Sequence, residues 1–345
     1  MKLALFNGQL VQAANCHHLG PFFCPQCGHR LVLVQGKHKQ AYFAHLRPAK
    51  CNSEGETSLH QIGKQQMYRW ACRQGWRPRL EVFLPQIQQR PDLLVQLADH
   101  TFVFEFQCSP LDVDRLAERN QGYRHLRMPF CWFLGATYAH QLRDNKIAQF
   151  TQWRQGKPVV PFWNVHQQRP IYRYDFRTVP FVRNHRLSKR QQYLVQTQSL
   201  QKMMRYHDQG WWKMNDRCYL AGHIMSACPL VAHPLRPQWP MLRDGEFRWR
   251  LRCLLLMESL PLNLVMPYQG WEKVLASCAE WLPMPCLAVH SALMLRQELI
   301  KQFIQELQQC QILRVVDDGL IYWQVPQWFA DGGQKIRYIK TAPFN

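Results

Sequence analysis

Apolar and polar positions alternate most sharply near residue 100. In Thr101 to Gln107, Phe102, Phe104 and Phe106 share one face of an extended chain while Val103, Glu105 and Gln107 share the other, the period of two that a strand requires. Just before it, Arg90-Pro91-Asp92-Leu93-Leu94-Val95-Gln96 is a second short apolar segment, set off by the turn-like Ala98-Asp99-His100. Two adjoining strands are predicted, with Asp92 at the start of the first and Glu105 inside the second. Leu80 to Leu84 reads as another strand upstream. From Glu54 or Glu56 to about Cys72 the period becomes helical: Leu59, Ile62, Met67 and Trp70 form an apolar stripe. Glu56, His60 and Lys64 follow one another four apart on a neighbouring face. Leu111 to Arg127 predicts a second helix, opened by Ser109 or Asp112, with Arg119 and Tyr123 one turn apart. Met128 to Leu134 is an apolar run suited to an interior strand ahead of Gly135. The order helix, three strands, helix, strand describes a compact α/β core.

Residues 1–54 read as a small separate module with a strand over Leu3 to Val11 and a hairpin of Leu31 to Val34 with Gln40 to Ala44 around Gly36. Between them, Cys24-Pro25-Gln26-Cys27-Gly28 has the spacing that brings two thiolates onto one tetrahedral ion. A module this small has too little core to be comfortable without such a staple. His45 and Cys51 are the preferred partners for Zn2+, with His38, His29 and Cys16 as competitors; two buried thiols beside surface histidines is the alternative.

Beyond the core, residues 139–185 mix short strand-like pieces with Pro158, Pro161, Pro170 and Pro180, which predicts a connecting region or irregular extension. Leu187 to Tyr206 predicts a basic helix carrying Lys189, Arg190, Lys202 and Arg205. Trp211 and Trp212 suit either base stacking or a core. Helical spacing recurs over 248–260 and 287–310, and Leu313 to Val316 with Leu320 to Val325 predicts a terminal hairpin across Asp317-Asp318-Gly319. The chain thus divides into a zinc-finger-like module (1–54), an α/β domain (55–155) and a mainly helical C-terminal region (156–345) suited to DNA or partner binding.

Composition narrows the function. At 345 residues and 47% hydrophobic content the chain can bury a sizeable core, which excludes wholesale disorder. The 43 Lys and Arg against 23 Asp and Glu give a net charge of +20, favouring a polyanionic partner such as nucleic acid. Thirteen cysteines defeat a simple disulfide count. No signal sequence opens the chain, and no apolar run approaches the roughly 20 residues of a spanning helix. The expectation is a cytosolic protein with reduced thiols. Cys218, Cys228, Cys253, Cys278, Cys286 and Cys310 show no close metal-binding pair and carry no assigned role.

The chemistry gathers at the two strand carboxylates. Asp92 and Glu105 can hold Mg2+ or Mn2+, which stabilises negative charge and lowers the pKa of a bound water. Glu56 can reach the ion directly or through water, His60 can orient water or relay a proton, and Lys64 or Arg119 can approach a phosphate. Tyr123 can hydrogen-bond phosphate or support a neighbour, while Gln107 can orient a water or phosphate without carrying charge. The plainer alternatives are a solvent-facing Asp and Glu, and a Glu-His-Lys row that stabilises its own helix.

At these residues the sequence resembles the competence protein CoiA family. The match runs through Cys24-Pro25-Gln26-Cys27, Tyr42-Phe43-Ala44-His45 and Cys51. It continues through Glu56-x3-His60-x3-Lys64, Arg90-Pro91-Asp92, Glu105-Phe106-Gln107-Cys108-Ser109 and Arg119-x3-Tyr123, over roughly the first 135 to 155 residues. The resemblance implies a zinc-finger-like N-terminal module and a restriction-endonuclease-like PD-(D/E)xK domain with a mixed sheet. Asp92 and Glu105 take its acidic positions, and Gln107 stands where the group usually has lysine. It further implies a cytosolic role in natural transformation, with hydrolysis or recombination of single-stranded or branched DNA and competence or recombination proteins as partners. Gln107, together with the positive charge, motivates a second reading, a noncatalytic DNA-binding or recombination adaptor. A third is a protein-interaction scaffold.

Overall fold

A computed structural model describes residues 3–344 apart from 8, 14–15, 17–19, 25–27, 37–40, 47–57, 98–99, 140–141, 183–186 and 207–208. The chain divides into two compact units, Met1–Gln141 with Val160–Tyr172, and Leu142–Val159 with Arg173–Asn345.

The first unit opens with strands β1 (Leu3–Phe6), β2 (Gln9–Gln12), β3 (Phe22–Phe23), β4 (Arg30–Val34) and β5 (Tyr42–His45), in the order β2-β1-β3-β4-β5. All neighbours pair antiparallel. Ala4, Phe22, Cys24, Leu31 and Phe43 form its small core. The single strand expected over Leu3 to Val11 is instead a hairpin. Asn7 adopts φ 50°, a left-handed conformation that Asn tolerates better than most residues, and the chain reverses there. The β4–β5 hairpin is as expected, with Leu33 opposite Phe43.

The α/β core follows as α1 (Ser58–Arg73), β6 (Arg77–Leu80), β7 (Leu93–Leu97), β8 (His100–Gln107), α2 (Val113–His125), β9 (Phe130–Leu134) and the short α3 (Ala136–Ala139). After α4 (Asp144–Phe150) and β10 (Gln152–Arg154) come β11 (Lys157–Asn164) and β12 (Arg169–Arg173). The sheet of the first unit runs β11-β9-β8-β7-β6, with β12 on β11. It is mixed: β6/β7 and β7/β8 are antiparallel, β8/β9 and β9/β11 parallel. The alternation in β8 sorts its side chains as expected. Phe102, Phe104 and Phe106 pack with Leu93, Val95, Met67 and Ala71 under α1. Val103 packs with Leu94 and the Tyr123 ring of α2 on the opposite face.

Three expectations are corrected. Ile62 is 49% exposed and not in the α1 stripe; Gly63, one position on, faces the sheet instead, as described below. The strand expected over Leu80 to Leu84 lies at Arg77–Leu80, because Glu81 takes φ 51° and ends the pairing, leaving Leu84 a single bridge to Gln89. Residues 139–185 hold α4 and three strands, not an irregular connection. Pro158 and Pro161 lie inside β11, where Pro158 to Trp163 is continuously buried. Each proline removes a ladder donor, and β11 meets β9 through one residue pair, Phe162 with Leu134.

The second unit is mainly helical, with α5 (Lys189–Arg205), α6 (Gln209–Leu220), α7 (Glu246–Glu258), β13 (Val265–Met266), α8 (Tyr268–Ser277), α9 (Val289–Gln309), β14 (Leu313–Val316), β15 (Gly319–Tyr322) and α10 (Gly332–Thr341). The strands form a small sheet, β13-β15-β14, containing the expected terminal hairpin. Helix α5 starts at Ser188, whose side chain caps Gln191 N while the Gln191 side chain caps Ser188 N. Trp211 packs on Phe181 and Phe247 under the Arg248 guanidinium, whereas Trp212 is 44% exposed. Among the described helices, none is long and apolar enough to cross a membrane.

Arg250 lies fully buried on α7. It donates to Glu246 Oε1 from Nε at 3.0 Å and Nη2 at 2.7 Å, to Val231 O at 3.0 Å, and to Glu306 of α9. Arg250→Leu leaves those two carboxylates without their counter-charge and is expected to cost about 3–5 kcal/mol, read as a lowered midpoint of urea unfolding.

Candidate active site

The β7–β8 register places Leu93 opposite Phe104, so one residue further Asp92 stands opposite Glu105. Asp92 turns around the end of β7 toward α1. Its Oδ2 accepts from Phe106 N at 2.8 Å and lies 3.2 Å from His60 Nε2, while Oδ1 is 3.8 Å from Lys64 Nζ. His60 and Lys64 therefore face the sheet and are not a solvated row. The His60 ring stacks over Phe106 at 5.7 Å and 8°. Gly63 permits this approach, since a Cβ there would fall within the Phe106 ring. The middle of α1 is fixed by Gln66, which donates to Val165 O at 2.9 Å and accepts from Trp163 Nε1 at 3.1 Å.

Lys64 is only 6% exposed and also pairs with Glu81. Glu81 donates its backbone N–H to Asp92 O at 3.1 Å. Sequence reasoning missed this third carboxylate. Its signal was an acid inside the apolar run Leu80-Glu81-Val82-Phe83-Leu84, and its positive φ is of the kind that recurs at functional sites.

Glu105 is buried and held from α2. Arg119 Nη2 and Tyr123 Oη both donate to its Oε1; Arg119 Nη2 also lies 3.0 Å from Tyr123 Oη and 3.3 Å from Arg90 O. The guanidinium lies 5.6 Å over the Trp132 ring. Trp132 Nε1 in turn donates to Asn120 Oδ1 at 2.8 Å. Arg119 and Tyr123 thus meet as the helical spacing predicts, with Glu105 as their shared partner.

The two carboxylates titrate in opposite directions. Burial pushes Asp92 up, but the His60 hydrogen bond and charge, the Lys64 charge and the Phe106 amide outweigh it and hold Asp92 below its ordinary value. Burial also pushes Glu105 up; Arg119 and Tyr123 offset this in part, the neighbouring Asp92 charge adds to it, and Glu105 stays above its ordinary value. Burial and the same Asp92 charge push the Cys108 thiol up to about 12.

Gln107 turns away, donating from Nε2 to Ser109 O at 2.6 Å and Ser109 Oγ at 3.4 Å. The cation beside Asp92 is Lys64, delivered from α1. Glu56 lies outside the described residues.

Asp92 Oδ1 and Glu105 Oε2 accept no hydrogen bond from the described residues. These hard oxygen donors suit Mg2+ or Mn2+, ions that keep several water or phosphate ligands. Among the described residues no group of three or more His, Cys, Asp and Glu side chains is placed to hold a metal. In the N-terminal module, Cys24 N donates to His29 O at 2.8 Å and Gly28 N to Cys24 O at 2.9 Å. Leu31 pairs with both Phe22 and His45, which sets His45 and Phe22 on one rung of the sheet. Cys27, Cys51 and the competitor His38 lie outside the described residues; Cys16 is buried and His29 exposed.

Residues 56–211 match the nuclease-like domain of competence protein CoiA, and residues 8–54 match its N-terminal domain. Through these residues the chain belongs to the competence protein CoiA family. Competence protein CoiA of Bacillus subtilis (strain 168) is 34% identical over 116 residues, covering 33% of this chain and 31% of that relative. The aligned stretch is thus less than a third of the relative's length. No solved structure matches the chain.

Gly63→Ala drives a methyl group into the Phe106 ring and has to lift α1 or displace the ring. The expected cost is about 1–3 kcal/mol, measured by denaturant unfolding. A variant as stable as the wild type would show that α1 does not sit this close to β8.

Proposed function

We propose that the first unit is a metal-dependent deoxyribonuclease of restriction-endonuclease-like type, acting on single-stranded or branched DNA in the cytosol during natural transformation. The observation that carries this reading is the approach of Lys64 to Asp92, which supplies from α1 the positive charge that Gln107 lacks. Asp92 and Glu105, with Glu56 as a further candidate, would hold Mg2+ or Mn2+ through Asp92 Oδ1 and Glu105 Oε2, with Lys64 beside the former. Such an ion offsets negative charge on the phosphate and lowers the pKa of its water. Lys64 neutralises the bound phosphodiester, and its contact with Glu81 keeps the ammonium in the site before substrate arrives. His60, hydrogen-bonded to Asp92, orients the attacking water and takes up its proton. Arg119 and Tyr123 fix the Glu105 carboxylate, and their direct contact with substrate is secondary. The net charge of +20 draws the polyanion to the protein, and competence or recombination proteins are the expected partners. Zn2+ on Cys24, Cys27, His45 and Cys51 would staple the N-terminal module.

A second reading is a noncatalytic DNA-binding or recombination adaptor on the same fold. It is favoured by the engagement of Glu105 with Arg119 and Tyr123 and by the orientation of Gln107 onto Ser109.

A cleavage panel of single-stranded, duplex and branched DNA with Mg2+ or Mn2+ separates the two. The nuclease reading expects wild-type cleavage abolished by chelation and reduced about 100-fold or more by Asp92→Ala or Lys64→Met, with Gln107→Ala within a few fold of wild type. DNA binding should survive in every variant. Absence of cleavage by folded wild-type protein, with salt-sensitive binding that persists in Asp92→Ala, establishes the adaptor instead. For the N-terminal module, elemental analysis should find about one zinc per chain, lost in Cys24→Ser.

A further inference from the structure

A cavity of about 470 Å³ opens on the second unit, lined from the ends of α6 and α7 and from the segment after β15. That volume lies within the roughly 300–1,000 Å³ of small-ligand sites. Its wall is organised by one carboxylate. Glu258, the last residue of α7, accepts from His223 Nε2 on one oxygen at 2.7 Å and from Trp328 Nε1 on the other. With their edges so held, the two rings lie parallel, their centroids 4.0 Å apart and their planes at 3°. The backbone fixes both carriers. His223 N donates to Cys218 O at 2.8 Å at the end of α6, and Phe329 N, just beyond Trp328, donates to Ala227 O at 2.9 Å. Gln324 and Gln327, also on the wall, are exposed, and each carries an amide donor and acceptor.

A second aromatic stands at the rim with a cation over it. Trp323, one residue before Gln324, is 45% exposed, and its N–H donates to Ile312 O at 2.9 Å. The Arg314 guanidinium lies over this ring, 4.1 Å from the centroid. Arg314 Nε is buried without a hydrogen-bond partner, and among the described residues no carboxylate pairs with the guanidinium. An unsatisfied cation beside planar rings suits a ligand that alternates negative charge with flat aromatic groups. Inside the cavity the Glu258 charge opposes an anion, so the flat group belongs there and the anion belongs at the rim.

We propose that this cavity takes an unpaired base of single-stranded DNA, with the adjoining phosphate on Arg314. The base stacks beside the His223–Trp328 pair, Gln324 and Gln327 hydrogen-bond to its edge, and Trp323 stacks on the neighbouring base. Because an amide offers both donor and acceptor, the cavity accepts any base. A peptide lacks the regular negative charge that Arg314 and the net charge of +20 select. The inference rests on the reading of this protein as one that handles single-stranded DNA, but not on cleavage, because none of these residues belongs to the Asp92 site.

The test uses the full chain with a chelator present, so that no strand is cut, and compares a fluorescent oligothymidylate with an abasic strand of equal length and charge. Anisotropy titrations are expected to show the abasic strand bound about 10-fold more weakly. Trp328→Ala and Trp323→Ala should each weaken the oligothymidylate by about 10-fold with its salt dependence unchanged, whereas Arg314→Ala should lower the slope of log affinity on log salt by about 0.7. Wild-type affinity in both tryptophan variants overturns the proposal and leaves DNA handling in place. Failure of the wild type to bind either strand removes the DNA reading and this proposal together. Loss of binding to a Pro-rich peptide in those variants, with DNA affinity intact, makes the cavity a peptide site instead. Should the alanine variants not fold, the wild type decides: photocrosslinking to a strand carrying 5-iododeoxyuridine is expected to mark the peptide that holds Trp323 and Trp328, and crosslinks confined to the first unit overturn the proposal.

Discussion

Asp92 and Glu105 stand side by side at the end of a strand pair, largely withdrawn from water. Burying like charges together is unfavourable unless cations and hydrogen-bond donors accompany them. Here they arrive from opposite faces of the sheet. Helix α1 brings His60 and Lys64 to Asp92, and α2 brings Arg119 and Tyr123 to Glu105. Both helices are therefore bound to the sheet by charge as well as by their apolar faces. The difference in surroundings also separates the two carboxylates: the one reached from α1, with an amide, the His60 imidazole and the Lys64 ammonium around it, is held in its ionised form more strongly than the deeper one.

Much of this was legible in the sequence. Period-two alternation sorted Phe102, Phe104 and Phe106 from Val103 and Glu105, and four-residue spacing put His60 with Lys64 and Arg119 with Tyr123. What escaped were positions where backbone conformation or close approach overrides side-chain character. Ile62 is the more apolar residue, but Gly63 faces the sheet because only hydrogen fits against Phe106. Glu81 and Asn7 end their strands through positive φ, which no hydrophobic pattern reports. Pro158 and Pro161 read as breakers, yet the apolar run around them forms β11 because burial outweighs lost ladder bonds.

The second unit was legible in its elements but not in its contacts. The period of 3.6 located α5, α7 and α9, and the turn chemistry located the β14–β15 hairpin. Buried Arg250 shows this: its partner Glu246 is visible at helical spacing, while Glu306 comes from a distant helix.

The source of positive charge has a structural consequence. A lysine at position 107 would ride on β8, its place fixed by the strand ladder to β9. Lys64 rides on a helix, and its distance from Asp92 is set by the Gly63–Phe106 approach and the Gln66 contacts with Trp163 and Val165. The electrostatics beside Asp92 therefore inherits the docking of α1. Displacing that helix slightly would withdraw His60 and Lys64 together, yet leave Asp92 on the Phe106 amide and Glu105 on Arg119 and Tyr123. The half of the site that holds the carboxylates is rigid with the sheet, while the half that supplies His60 and Lys64 is only as well placed as the packing beneath α1. Gly63 is thus as much a part of the site's geometry as the charged residues on either side of it.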